Sequence, residues 1–421
     1  MLKRGSLISS PDCRHVAYVI TRGNKSAVVV DEHEGKLYDL IGMRGPEFSP
    51  DSKRVAYGAA DGDKLFIVVD GKEGKHYDLI GRAQYLFSPD SKVVTFAAKA
   101  NNQWFVVIDS SEQRACNDIL VNTPVFGSDG KHVAYGMRFM DEWQIEAVSD
   151  DRVSLTVGLD GIGEGSPLFS PDGKRIAYTC LKGKLQTVNV DDTDGMYYTA
   201  ASEPVFSPDS KHLAYAVKSG EVQMVVVDGR EEKAYSATGL PLFSSDSKRI
   251  AYRASIDNSQ FVVVDGTEGK GYDAVNLPVF SPDSKRIAYG ASLQKKQLLV
   301  VDGVEGRTYD FVEQSGRIFS PDSKHVAYGA TIGRKMFVVL DDAAGTEYDE
   351  IGPPVFSPDS KHVAHGAELG GKQFVVVDGI KGNDYDRVFP GAEKIIWDAP
   401  DSFHYLAQSG EDILLVEETF E

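Results

Sequence analysis

Aspartate is the potentially reactive side chain this sequence repeats most often. In Ser-Pro-Asp-like settings it falls at Asp12, Asp51, Asp90, Asp129, Asp172, Asp209, Asp246, Asp283, Asp322, Asp359 and Asp401. Paired carboxylates can perform acid–base chemistry when two of them face one substrate. Copies recurring along the whole chain argue instead for a repeated structural duty, because catalysis needs one special site. The histidines divide in the same way. His15, His132, His212, His325 and His362 occupy the slot where other copies carry Arg54, Arg175 or Arg286, which predicts solvated strand-edge residues rather than metal ligands. His365 stands where a tyrosine recurs and is expected in the core. The run DDTDG (191–195) has the acidic spacing of a calcium loop but lacks the glutamate at the twelfth position that such loops use. Cys13, Cys116 and Cys180 are scattered and form no C-x-x-C, so neither a disulfide framework nor a zinc site is expected. No G-x-S-x-G, H-E-x-x-H or phosphate-binding glycine loop is present. The expectation is a chain without metal, cofactor or catalytic residues.

Binding residues should therefore lie where the copies differ. The segment MRFMDEWQ (137–144) groups Arg138, Phe139, Met140 and Trp143, residue types that commonly anchor partners. Arg44, Arg82 and Tyr85, in other divergent stretches, could join them. The competing reading is that these side chains fill gaps left by smaller neighbours.

The elements that must position these residues follow from the spacing of the aspartates, which runs 39, 39, 39, 43, 37, 37, 37, 39, 37 and 42. A period near forty suits one four-stranded sheet. Residues 276–314 show the grammar. LPVF (277–280) reads as a short strand leading into a type I-like turn at Pro282 and Asp283. RIAYGA (286–291) and QLLVVD (297–302) read as buried strands, GVEGR as a turn, and TYDFV (308–312) as a more polar outer strand. No stretch has a sustained 3.6-residue period, so helix is not expected.

Four antiparallel strands per repeat predict an all-β fold, a β-propeller of four-stranded blades. The signature F-S-P-D-S/G-K-R/H-V/I-A-Y resembles the WD-repeat-like blades of TolB-type propellers, which also occur beside prolyl oligopeptidase domains. The resemblance covers essentially the whole chain and implies a fold used as a binding platform, a cover or a spacer. The expectation is one domain over 1–421, a single large ring of ten or eleven blades, with an incomplete three-stranded last blade (391–421). The alternative is two smaller propellers in tandem.

Composition narrows the function classes. A net charge of −18 across 421 residues disfavours nucleic acid, whose phosphates call for a basic stripe, and favours a soluble monomer. No apolar run reaches the length of a signal peptide or a membrane span. A cytoplasmic location is expected, with an exported parent lacking its leader as the alternative. One face, carrying SPDSK and DGxEGK, is monotonous; the opposite face is variable. The reading is a non-enzymatic scaffold presenting that variable face to a protein or peptide. Two alternatives stand beside it. One is an enzyme of lyase or glycosidase type at the channel mouth, using Glu47, Glu203 or Arg317. The other is a recently amplified or engineered array without a ligand.

Overall fold

The computed structural model describes residues 6–42, 45–81, 86–149, 152–163, 165–313, 318–388, 395–410 and 412–419. Among the described residues every regular element is a strand, and there is no helix. The strands build eleven antiparallel blades of a β-propeller, spanning 8–34, 40–73, 79–112, 118–159, 161–194, 200–231, 237–268, 274–305, 311–344, 350–381 and 387–419. They are called blades 1 to 11 below. The chain divides into two compact units, Met1–Gly220 and Glu221–Glu421. The first contains blades 1 to 5 and the inner strands of blade 6; the second contains the outer strands of blade 6 and blades 7 to 11.

Blade 8 shows how the sequence makes the unit. Its inner strand is broken into two halves, Ala274–Val275 and Val279–Phe280, and both pair with the second strand, Ile287–Leu293. Pro278 sits in the break, and a residue without an N–H cannot continue the ladder. The third strand, Lys296–Val301, pairs along the full second strand. Val304–Glu305 closes the sheet as the outer strand. Flanked on both sides, the second strand is buried continuously from Ile287 to Ala291.

The segment TYDFV is not the outer strand that its polarity suggested. Tyr309 bridges back to Gln297 of blade 8, whereas Phe311–Glu313 pairs with the second strand of blade 9. The outer strand is Val304–Glu305, within the stretch expected to be a turn. Two residues suffice there because the outer tier has only one neighbour to satisfy.

The varying period has a local cause. Three residues separate the inner-strand halves in blades 6, 7, 8 and 10 (202–204, 239–241, 276–278, 352–354), where the spacing is 37. Five separate them in blades 2, 3 and 4 (42–46, 81–85, 120–124), where it is 39. Blade 4 departs further, because its third and fourth strands, Glu142–Ser149 and Arg152–Leu159, each run eight residues. In blade 11 the inner strand starts before 391: Arg387–Val388 and Ile396–Ala399 both pair with Ser402–Ser409.

Candidate functional site

On the SPDSK face the repeated carboxylate is held by its own turn. Ser281, fully buried, donates its hydroxyl to Asp283 Oδ1 at 2.6 Å and accepts the Arg286 N–H at 2.9 Å. The Ser281 bond first, and then the Lys285 N–H donating to Asp283 Oδ1 at 3.1 Å, hold the Asp283 carboxyl below the usual range. The Asp283 N–H then donates to Ser323 Oγ of blade 9 at 3.0 Å, stitching one blade to the next. Ser323 can take that post because it adopts a positive φ of 66°.

Arginine completes the stitch. Arg286 Nε meets Asp302 at 2.8 Å, while its Nη1 donates to the Ser323 and Lys324 carbonyls of blade 9 at 3.2 and 2.8 Å. Its guanidinium lies over the Phe319 ring, 5.3 Å from the centroid. Arg54 over Phe87, Arg175 over Phe206 and Arg249 over Phe280 repeat the arrangement. The histidines of this slot stay partly exposed and are engaged as well. His15, His325 and His362 lie 2.6 Å from Asp31, Asp341 and Asp378 of their own blades. Like the arginines, these imidazoles also meet an aromatic ring of the next blade: His15 lies 6.5 Å from Phe48, His132 6.0 Å from Phe169 and His362 6.3 Å from Trp397.

Behind that face, aromatic rings seal the junctions. Tyr309 meets Tyr328 edge-on at 6.3 Å and Phe337 at 5.7 Å. At the outer rim Lys270 pairs with Glu305 at 2.8 Å.

The opposite face is built from hairpin tips. Stretches read as loops, such as AADGDK (59–64) and AKANNQ (98–103), are ends of long strands joined by two residues. GMRGPE (42–47) is the break inside an inner strand rather than a link between blades. At many junctions an aspartate pins the tips. Asp310 takes the Lys296 ammonium at 2.5 Å and the Gly333 N–H at 2.7 Å, and Asp349 treats Lys335 and Gly370 alike at 2.7 and 2.9 Å.

The structure brings three of the predicted partner residues to one tip, in blade 4. Met140 is 73% exposed, with φ 56°, and its N–H donates to Asn117 Oδ1 at 2.7 Å. Phe139 carries the Arg114 guanidinium 4.1 Å from its ring centroid, and Arg138 lies 3.6 Å from Asp141. Trp143 pairs in register with Arg138 but is half-buried, packed against Ile145, Leu159 and Tyr178. Arg44, Arg82 and Tyr85 lie outside the described residues. Arg114 was missed because its repeat position is an ordinary rim lysine in Lys36 and Lys75, and nothing in sequence marks its stacking.

The side chains singled out for chemistry can be placed in turn. Burial pushes the Cys116 and Cys180 thiols up to about 12 and about 11, away from a reactive thiolate. In DDTDG, Asp194 takes Lys182 at 2.6 Å, Tyr197 at 2.7 Å and Asn189 at 2.9 Å, which hold its carboxyl down at about 2. Asp192 accepts the Thr156 hydroxyl. Among the described residues no group of three or more His, Cys, Asp or Glu is placed to hold a metal ion. Glu47 is half-buried on the inner strand of blade 2, Glu203 is exposed in the inner-strand break of blade 6, and Arg317 lies outside the described residues. A 710 Å³ cavity near blades 9 to 11 is apolar, lined by Pro321, Pro354, Phe356 and Trp397 among others. Among the described residues no helix is long and apolar enough to cross a membrane.

No family model matches the chain, and no curated protein matches it. Similar solved structures include TolB and other β-propeller proteins. TolB from Acinetobacter baumannii is 15% identical, with a TM-score of 0.26, over 62% of this chain and 84% of that one. The β-propeller domain of the trilobed protease from Pyrococcus furiosus is 16% identical, with a TM-score of 0.33, over 65% and 98%. Oligogalacturonate lyase in complex with manganese is 15% identical, with a TM-score of 0.33, over 71% and 97%. One is a TolB, one a protease domain and one a lyase, and at these identities and TM-scores they carry no argument about activity.

Proposed function

We propose that this chain is a non-enzymatic binding scaffold that presents its hairpin-tip face to a protein or peptide. The supporting observation is the contrast between faces. On the SPDSK face of blade 8 the Ser, Asp and Arg of the turn bond to one another or to the next blade, and Arg54, Arg175 and Arg249 do likewise in their blades. On the other face the tips keep one backbone geometry while their outward side chains change from blade to blade, the usual arrangement of a recognition surface on a rigid frame. The test is a thermal-shift screen with short peptides, oligosaccharides and divalent cations. The expected result is stabilisation by peptides alone, weakened by changes at the tips and untouched by Lys285→Ala on the SPDSK face. Stabilisation by an oligosaccharide or a cation would count for the enzyme reading instead.

A further inference from the structure

Building on that scaffold reading, we propose that the tips of blades 8 to 10 are the docking surface, and that its partner is an extended peptide segment combining apolar side chains with carboxylates. Leu293, Ile332 and Leu369 are the last residues of their second strands and are 37%, 53% and 43% exposed. Phe311, 49% exposed, pairs with Thr331, the residue before Ile332 in the same strand. A single exposed apolar residue is ordinary, but a row recurring on successive tips is not. The repeat does not require it for folding, since Asp61, Lys182 and Ser219 fill the same position in blades 2, 5 and 6.

The row is rigid, because Asp310 and Asp349 tie each tip to the next. A pre-ordered surface loses little conformational freedom on binding. Its charge selects the partner. Lys296 and Lys335 are already neutralised by those aspartates. Lys295 and Arg334, at the turns of blades 8 and 9, are exposed and have no carboxylate partner among the described residues. Free cations flanking apolar side chains suit carboxylates spaced along an extended segment. The chain as a whole carries −18, so an acidic segment is repelled at long range and attracted only at contact. Added salt therefore speeds association, the reverse of ordinary electrostatic steering.

The experiment selects binders to the intact protein from a displayed library of random peptides of about twelve residues, then measures the leading peptide by fluorescence anisotropy. The expected result is enrichment of acidic-plus-apolar sequences, with affinity falling at least about tenfold in Ile332→Ser and in Arg334→Glu, the scale of an interface anchor. Lys285→Ala should change nothing, and association should quicken between low and physiological salt. Enrichment of basic or neutral peptides, no enrichment, or unchanged affinity in both variants overturns the proposal. If binding is lost in Met140→Ser but kept in Ile332→Ser, this surface is wrong while the scaffold reading stands. If binding is lost in Lys285→Ala and kept in both tip variants, both are wrong.

Discussion

The junction between blades 8 and 9 and that between blades 3 and 4 use the same backbone and different glue. At the first, Arg286 grips the next blade, Ser323 receives the Asp283 N–H, and Tyr309 packs on Tyr328 and Phe337. At the second, Val93 replaces the arginine, Gly130 the serine and Cys116 the tyrosine. A Cβ on Gly130 would lie 2.9 Å from Asp90 Oδ1, so a serine there would require the Asp90 side chain to shift. Gln144 and Glu146 stand at the register positions of Phe337 and Val339, and both are buried. Tyr135 donates to Glu146 at 2.7 Å, supplying a partner that valine would not need. Strand pairing survives each of these exchanges. The blade is thus specified by turns and ladders within a repeat, and the bonds between repeats add stability that one stretch of the chain gives up.

That difference can be broken most forcefully at Phe337. Phe337→Ala should cost about 3–4 kcal/mol in chemical denaturation, because it empties a buried aromatic site. Gln144→Ala, the same register position in blade 4, should cost no more than about 1 kcal/mol. Equal losses would show that the junctions do not differ. Arg286→Ala should cost about 2 kcal/mol by removing two carbonyl contacts and the ring stack, and Arg286→Lys should recover less than half of it. Full recovery by lysine would mean that charge alone matters.

Thr187→Val sharpens the comparison in the other direction. Blade 5 carries Thr187 where blade 9 has Phe337, and its hydroxyl is buried without a hydrogen-bond partner. Valine keeps the shape, so a gain of about 1 kcal/mol is expected, and a loss would reveal a hidden partner.

The smallest effect is one of pH. His365 is buried against Tyr348, with Nδ1 3.0 Å from the Gly366 carbonyl, and burial lowers its pKa below 6.5. The unfolded chain binds a proton there near 6.5 while the folded chain stays neutral. Stability therefore falls as pH drops from 6.5 toward the lowered folded value. The carboxylates with depressed pKa lose stability only below about 4 and do not interfere. His365→Tyr, which restores the repeat's tyrosine, should flatten the melting temperature between pH 7.5 and 5.5. An unchanged slope would remove His365 from the account.

Much of this fold was legible because turns and buried strands are local. Pro282 and Asp283 announced their turn, and Ile287–Ala291 its burial on both faces. TYDFV was misread because a strand's partner is a non-local fact, and alternation alone cannot say to which blade a segment belongs. The arginine stitch was hidden for the same reason: Arg286 and Ser323 lie 37 residues apart. At the candidate site, Met140 and Phe139 could be found as departures from the repeat. Trp143 shared that signal and turned out to fill a junction, because a tip and the strand beneath it look alike in one dimension.

The central claim, that the regular junctions are bound more tightly than those around blade 4, is tested most directly by native-state hydrogen exchange read by mass spectrometry. The account predicts higher opening free energies for the third strands Lys296–Val301 and Lys335–Leu340 than for the equivalent strand Glu142–Ser149. Equal protection of all three, or greater protection of Glu142–Ser149, would contradict it.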